Sequence, residues 1–98
     1  MTLVIKPTIN WLTLNEALAE QSMGAVILDV RMPSQFIARN APGSINLPLP
    51  VLRKTASILN SDKEYIIYSD NGIQSIIASF LLTYRGIKAK TIKGPIQL

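Results

Sequence analysis

The sequence contains no cysteine and no histidine. Without cysteine the chain cannot form disulfides, bind a metal through thiolates or use a thiol as a nucleophile. Without histidine it lacks the side chain that most often serves as a general base or as a metal ligand near neutral pH. These two absences exclude thiol enzymes and most zinc sites, and we expect neither a metal nor a cofactor.

Long apolar runs are missing as well. No segment approaches the roughly 18 consecutive apolar residues of a membrane-spanning helix, and the start, Met1 to Lys6, lacks the length and the cleavage site of a signal peptide. We therefore expect a cytoplasmic protein without a membrane partner. With 98 residues, 48% of them hydrophobic, the chain can form one domain with a small core.

Acidic residues are few, and the charge is uneven. Residues 1–50 carry three basic and three acidic side chains, whereas residues 51–98 carry seven basic and three acidic ones, which gives the net charge of +4. A basic half can attract nucleic acid or an acidic partner. Because aromatic side chains that could stack on bases are not interleaved with the basic ones, a solvated surface explains the charge better, and nucleic acid is a weaker alternative.

The most informative segment is Tyr65–Gly86. It opens with Tyr-Ile-Ile-Tyr, a β-branched and aromatic run that is typical of a strand buried in a parallel sheet. Six residues follow, and then a helix is predicted to begin near Gln74 and to end at Gly86. Its apolar residues recur at spacings of three and four: Ile76, Ile77, Phe80, Leu81 and Tyr84. We expect four residues of this unit to be buried: Ile67, Ile77, Phe80 and Leu81.

Strands and helices are predicted to alternate along the rest of the chain. In order, we expect a helix capped by Thr13 and Glu16 and ended by Gly24, a strand at Ala25–Val30, a short helix from Pro33, a strand at Ser44–Leu47, a helix within Pro48–Leu59 and a strand at Lys88–Ile92. The helix within Pro48–Leu59 is expected to direct four residues inward: Leu49, Val51, Leu52 and Ile58. Trp11 is expected to cover the core rather than to bind a ligand. Such alternation is typical of a parallel sheet, whose ligands bind beyond the carboxyl ends of the strands.

Three segments resemble one known family. Ser69, four residues, Gln74 and Ser75 before a helix are similar to the active-site loop of the rhodanese family of single-domain sulfurtransferases, which reads Cys, four residues, Arg, Ser. Ile27–Arg31 resembles the family's Leu-Asp-Val-Arg strand end, and Ala41–Pro48 resembles its Ile-Pro-Gly-Ala-Ile-Asn-Leu-Pro segment. The resemblance implies an α/β fold: a three-layer α/β/α rhodanese-like fold with a five-stranded parallel sheet in the order 1-5-4-2-3.

The two residues that carry the family's chemistry are replaced in this chain. Ser69 stands at the Cys position and Gln74 at the Arg position. Sulfur transfer needs a thiolate that attacks a sulfane sulfur and carries it as a persulfide, which a serine hydroxyl cannot do. We expect Ser69 to cap the helix or to hold the loop instead. Gln74 replaces a cationic fork by a neutral amide, and Asp70 adds a negative charge.

The loop is therefore expected to be a vestigial site made of six residues: Ser69, Asp70, Asn71, Gly72, Ile73 and Gln74. Backbone N–H groups at a helix N-terminus can still bind an anion. The candidates for such binding are Gly72, Ile73, Gln74 and Ser75. Asp29 and Arg31, at the end of a neighbouring strand, are expected to support the loop as a structural ion pair rather than as catalysts.

The sequence thus predicts one rhodanese-like domain over residues 1–98, either excised from a longer protein or lacking the family's usual final helix. The favoured function is a non-catalytic regulatory or interaction module that has a protein partner or a fused domain. One alternative is a sulfurtransferase whose Cys and Arg are replaced in this chain. Another is a basic module that binds nucleic acid or an acidic partner. The oligomeric state stays open.

Overall fold

Strands and helices alternate along the whole described part of the chain. The structure is a computed structural model that describes residues 9–94. The elements are β1 (Trp11–Leu12), α1 (Leu14–Ser22), β2 (Val26–Asp29), α2 (Pro33–Ala38), β3 (Ile45–Asn46), α3 (Leu49–Thr55), a 3-10 turn (Ala56–Ile58), β4 (Tyr65–Tyr68), α4 (Gly72–Thr83) and β5 (Ala89–Ile92). The expectation about a missing final helix concerns the end of the chain and lies outside the described residues.

The five strands form one parallel sheet in the order β1-β5-β4-β2-β3, which confirms the predicted fold. β4 lies at the centre, where Ile67 pairs with Leu28 of β2 on one side and with Thr91 of β5 on the other. All four residues of β4 are buried. This is why the strand reads as a continuous apolar run rather than as an alternating one.

Successive residues of β4 point to opposite faces of the sheet and so contribute to two cores. Tyr65 and Ile67 pack with residues of α3 and α4 on one face. Ile66 and Tyr68 pack on the other face with Ala17 of α1. Helices therefore cover both faces of the sheet, as a three-layer α/β/α architecture requires.

Local capping signals set the limits of α1 where the sequence predicts. The Oγ1 atom of Thr13 accepts a hydrogen bond from the Glu16 N–H (3.1 Å), and Glu16 Oε1 accepts one from the Thr13 N–H (2.9 Å). The hydrogen bond with the Thr13 backbone lowers the pKa of Glu16 most, and the hydrogen bond with the Thr13 side chain lowers it further. Gly24 and Gly86 follow α1 and α4 with φ of +106° and +76°, values that favour glycine and stop a helix.

An ion-pair network joins α1 to the sheet at its surface. Lys90 Nζ lies 2.7 Å from Glu20 Oε1 and 3.0 Å from Glu64 Oε1. Hydrogen bonds to Glu20 and then to Glu64 raise the pKa of Lys90. Because all three side chains are partly exposed, solvent screening keeps the contribution of this network to stability small. None of the helices within residues 9–94 has the length and apolar composition needed to cross a membrane.

The structure corrects the predicted orientation of α4. The helix begins at Gly72 rather than near Gln74, because Asn71 caps it: its Oδ1 accepts a hydrogen bond of 2.9 Å from the Ile73 N–H. Phe80, which we expected to be buried, is 40% exposed, and Tyr84 is 94% exposed. Ile67 is buried as predicted, whereas Ile77 and Leu81 are only half-buried. The buried residues of α4 are Ser75, Ala78, Ser79 and Leu82.

Side-chain size explains this orientation. Small residues let the helix backbone approach the sheet closely, and the large residues then project beside and away from the contact. Both sets recur at spacings of three and four, so periodicity alone does not tell which set faces the sheet. A similar correction applies to α3 and the turn after it. Leu52 is buried and Leu49 half-buried as expected, whereas two residues predicted to point inward are exposed: Val51 and Ile58.

The orientation of α4 predicts opposite outcomes for two truncations. Leu82→Ala should lower the free energy of unfolding by about 2–5 kcal/mol, because it leaves a cavity between α4 and the sheet. Tyr84→Ala should change it by less than about 0.5 kcal/mol, because that side chain already lies in solvent. Urea unfolding followed by circular dichroism measures both. Equal losses in the two variants would contradict the orientation seen here.

Candidate functional site

The carboxyl ends of β2 and β4 bring the predicted site residues together, and the end of β5 lies beside them. Ser69 follows β4, Asp29 ends β2 with Arg31 two residues later, and Lys93 follows β5. Ligands of parallel α/β sheets bind at this edge. A larger concavity of about 570 Å³ lies at the opposite edge, next to the residues that precede β2 and β4. Its position makes it a weaker candidate.

The two residues that replace the expected Cys and Arg bond to each other. Ser69, which is buried, donates a hydrogen bond from Oγ to Gln74 Oε1 (2.9 Å). The same Oγ accepts a hydrogen bond from the Asn71 N–H (3.2 Å). An amide oxygen is not a base that can remove the hydroxyl proton, and an unactivated serine hydroxyl is a weak nucleophile. This arrangement suits a structural hydroxyl that holds the loop closed.

Some of the anion-binding candidates are already engaged within the loop. The Ile73 N–H donates to Asn71 Oδ1, and the Ser75 N–H donates to the Asn71 carbonyl oxygen (3.1 Å). By contrast, the N–H groups of Gly72 and Gln74 donate to no other residue within the described range 9–94. Two donors at the start of α4 therefore remain available to a ligand or to water.

A pocket of about 340 Å³ lies against this loop and the first turn of α4. Its lining residues are Trp11, Ser69, Gly72, Ser75, Ile92, Lys93 and Gly94. The side chain of Ser75 is buried at the pocket wall, and its Oγ has no hydrogen-bond partner among the described residues. A buried hydroxyl without a partner is rare and costly, and it commonly marks a place where water or a polar ligand binds.

Trp11 and Lys93 are pocket residues that sequence reasoning missed. We expected Trp11 to cover the core, but the structure leaves it 42% exposed on the pocket wall. The pairing of β1 with β5 brings the two residues together: Trp11 pairs with Thr91, and the Lys93 N–H donates to the Leu12 carbonyl oxygen (2.7 Å). Since this pairing joins the two ends of the chain, no local sequence signal marks either residue as part of the site.

Asp29 and Arg31 form a buried ion pair at the end of β2. Arg31 Nη2 lies 2.7 Å from Asp29 Oδ2, and Arg31 Nε donates to Asp29 Oδ1 at 3.0 Å. The hydrogen bonding with Asp29 raises the pKa of Arg31, even though burial alone would lower it. Arg31 Nη2 also donates to the Arg39 carbonyl oxygen at 2.6 Å, which ties the end of α2 to this strand.

The same guanidinium reaches the loop after β4. It lies 4.8 Å from the centroid of the Tyr68 ring, and Nη1 is 3.7 Å from Asp70 Oδ2. The Tyr68 hydroxyl donates a hydrogen bond to the other oxygen of the Asp70 carboxylate. Because Asp29 and Asp70 surround Arg31, its charge is balanced by protein carboxylates rather than presented to an anion in the loop.

The side chains near the loop were also compared with the requirements of a metal site. Among residues 9–94, no group of three or more acidic side chains is arranged so that it could hold a metal ion. The Asp70 carboxylate is engaged by Arg31 and Tyr68, and the groups left available at the loop are N–H groups and the Ser75 hydroxyl, which suit an anion or a polar molecule.

Comparison with known proteins agrees with the fold. The family model of the rhodanese-like domain matches residues 13–97. A tRNA sulfurtransferase from Thermoplasma acidophilum is 37% identical over 65 residues, which are 66% of this chain but only 13% of that protein. The chain thus spans a small part of this curated relative.

Two solved structures have the same fold. A rhodanese-related protein from Thermoplasma volcanium has a TM-score of 0.77 and 31% identity, and the match covers 90% of this chain and 87% of that chain. The crystal structure of reduced Bacillus anthracis CoADR-RHD has a TM-score of 0.81 and 28% identity, over 88% of this chain and 15% of that chain. The match therefore includes both a chain of similar length and a part of a much longer one.

The ion pair predicts a large effect from removing one of its charges. Asp29→Asn should lower the free energy of unfolding by about 3–5 kcal/mol, because it leaves the Arg31 guanidinium buried without its main anion. Asp62→Asn is the matched control: this carboxylate is exposed, and its change should stay within about 0.5 kcal/mol. Urea unfolding at pH 7 measures both. If the two variants were equally stable, Asp29 would not support the site.

Proposed function

This chain belongs to the rhodanese-like domain family, and we propose that it is a non-catalytic regulatory or interaction module of that family. The observation that carries the proposal is the hydrogen bond of 2.9 Å between Ser69 Oγ and Gln74 Oε1. It joins the two positions where the resemblance places a nucleophilic thiolate and a cationic arginine. Here they hold an unactivated hydroxyl and a neutral amide, which stabilise the loop by bonding to each other.

The absence of sulfur at Ser69 rules out the family's covalent step in this chain. In that step a thiolate attacks the sulfane sulfur of thiosulfate, the sulfur–sulfur bond of thiosulfate breaks, and sulfite leaves with the bonding electron pair. The product is a persulfide anion on the protein. An oxygen nucleophile cannot form a persulfide, and the chain has no cysteine elsewhere that could replace it.

A module without catalysis is proposed to act through a protein partner or a fused domain. The match to CoADR-RHD covers only 15% of that chain, and the match to the tRNA sulfurtransferase covers only 13% of that protein. Similar domains therefore occur as parts of longer proteins, where contacts with other domains are available. This supports a role in which the domain binds rather than reacts.

A sulfurtransferase whose two catalytic residues are replaced is the second candidate. It is favoured by what the loop has kept: the unengaged N–H groups of Gly72 and Gln74 and the adjoining pocket with the unpartnered Ser75 hydroxyl. Such a loop could still bind an anion at the start of α4. The two candidates agree on the fold and differ on whether the loop can be made reactive.

The proposed function predicts that the chain as it stands is inert. A thiosulfate:cyanide sulfurtransferase assay should give no thiocyanate above the buffer blank. The same result is expected for Ser69→Ala. Activity that survives purification and is lost in Ser69→Ala would overturn the proposal, because the hydroxyl would then take part in the reaction.

Restoring the replaced residues tests whether the loop keeps its anion-binding geometry. Ser69→Cys should give a thiol with a pKa below the free value of about 8.5, because the N-terminus of α4 favours the thiolate. Adding Gln74→Arg should lower this pKa further and should allow the thiol to take up one sulfur atom from thiosulfate, seen by mass spectrometry.

A matched control places the thiol away from the loop. Ser57→Cys introduces an exposed cysteine in the turn after α3, and its pKa should stay near the free value. The pKa values follow from the pH dependence of alkylation by iodoacetamide. If the thiol at position 69 of the double variant titrates like this control, the loop no longer stabilises negative charge, and the second candidate fails.

A further inference from the structure

We propose that the outer side of α4 is a docking surface for an amphipathic helix of a partner protein that carries acidic residues beside its apolar stripe. The surface consists of Ile73, Ile77, Phe80 and Tyr84 and is called the outer stripe below. The inference rests on the proposed function, since it names the kind of partner that a non-catalytic module would bind.

The composition of α4 is unusual for a helix with one side in solvent. Residues Gly72–Thr83 include no charged side chain. Surface helices normally place charged and polar residues opposite the face that they bury. Here three small residues and Leu82 are buried, and three large apolar or aromatic ones are left outside: Ile73 is 68% exposed, Phe80 40% and Tyr84 94%. An exposed apolar patch of this kind commonly marks a protein–protein contact.

The spacing of the outer stripe suits a second helix. Its members follow one another at intervals of four, three and four residues, which places them along one line on the helix surface. A shallow groove of about 310 Å³ lies along the C-terminal part of the stripe and is lined by Ile77, Phe80, Leu81, Tyr84 and Arg85. Side chains at intervals of three and four on a partner helix would fill such a groove, as in other helix-in-groove contacts.

The groove continues beyond α4 towards the turn after α3. A second concavity of about 510 Å³ shares Tyr84 and Arg85 with the first and extends to Ala56, Leu59 and Ile87. Ile58 in that turn is also exposed. The concave surface, whose lining here also includes Ser57 and Ser61, is therefore longer than α4 alone, as a partner helix of several turns would need.

The charge around the outer stripe indicates the chemistry of the partner. No acidic residue occurs in the sequence between Asp29 and Asp62 or after Asp70. The helices α2, α3 and α4 therefore contain no carboxylate side chain. Four exposed basic residues of α3 and of the segment after α4 make no salt bridge within the described residues 9–94: Arg53, Lys54, Arg85 and Lys88. Acidic side chains on a partner would complement these unpaired cations.

The aliphatic members of the stripe favour a protein over nucleic acid. Ile73 and Ile77 offer neither hydrogen bonds to bases nor aromatic rings on which bases could stack. They do offer apolar area that a helix can bury. Because Arg85 lines the groove beside this apolar surface, the outer stripe fits an acidic amphipathic helix better than a phosphate backbone.

Two synthetic peptides of about 20 residues, a length that can form a helix, test the proposal. Both carry leucine at intervals of three and four. The first carries glutamate at the flanking positions, and the second carries lysine there. In a titration of the ¹⁵N-labelled protein followed by NMR, the acidic peptide should bind at least roughly tenfold more tightly than the basic one. The shifted amide signals should lie in α4, and binding should weaken at about 1 M salt.

Substitutions at exposed positions change the proposed binding surface without disturbing the fold. Ile73→Gln with Tyr84→Ser should weaken binding of the acidic peptide at least roughly tenfold, and Arg85→Glu should reduce the preference for acidic over basic peptide. Met23→Gln is the matched control, since Met23 is 88% exposed and follows α1 on the other face of the sheet. This control should bind like the unchanged protein.

Several results would overturn the proposal. One is that the acidic peptide causes no shift of the amide signals at millimolar concentration. A second is that both peptides bind equally well. A third is that the shifted amide signals lie outside α4. A dimer in sedimentation that the Ile73→Gln, Tyr84→Ser variant dissociates would show that a second copy covers the stripe instead. Displacement of the acidic peptide by a single-stranded oligonucleotide would indicate nucleic acid.

The sulfurtransferase assay separates this inference from the proposed function. If the peptide does not bind and the assay stays blank, the docking surface is wrong while the non-catalytic role stands. If the unchanged chain transfers sulfur, the proposed function fails whatever the peptide does.

Discussion

The burial of β4 on both faces is the constraint on which the rest of the structure depends. Tyr65–Tyr68 pairs with β2 on one side and with β5 on the other, and its side chains enter two separate cores. Such a strand is stable only if helices cover both faces of the sheet. At the carboxyl end of β4, a short loop connects the strand directly to α4. The candidate site lies at this loop.

The loop shows how a site can keep its geometry while its chemistry changes. Arg31 connects Asp29 at the end of β2 to Asp70 in the loop, so two neighbouring strands hold the backbone in place. The Ser69–Gln74 hydrogen bond closes the same loop from inside. Both interactions stabilise the fold, and neither supplies a nucleophile or a free cation. Reactivity therefore does not follow from the shape of the loop, because shape depends on packing and reactivity on the two side chains that are replaced.

The contact between α4 and the sheet links packing to recognition. Ser75, Ala78 and Ser79 let the helix lie close to the strands, and Ile73, Phe80 and Tyr84 are left exposed on its outer side. An ordinary surface helix would carry charges there. The close contact that completes one core thus leaves an uncharged stripe with Arg85 in the adjoining groove. The distribution of small and large side chains along α4 thus explains both its buried face and the surface that we propose as a docking site.

The sequence by itself determined the features that arise from local or contiguous patterns. The apolar run of Tyr65–Tyr68 marked a buried strand because both of its faces need apolar residues, and the Thr13–Glu16 capping box and Gly24 marked the limits of α1 because caps are made within one turn. The sheet order and the place of the loop were predictable through three segments that resemble one family. The replacement of two side chains in that loop was visible from the sequence as well.

Only the tertiary structure decided which face of α4 meets the sheet, because periodicity groups residues on a face without saying what that face contacts. It alone brought Trp11 and Lys93 to the pocket, since strand pairing joins residues as far apart as Asn10 and Thr91, which are separated by 81 positions. It also showed that Ser69 bonds to Gln74, because a side-chain partner depends on how the loop turns. These features depend on the relative placement of distant segments, which no local pattern of residues encodes.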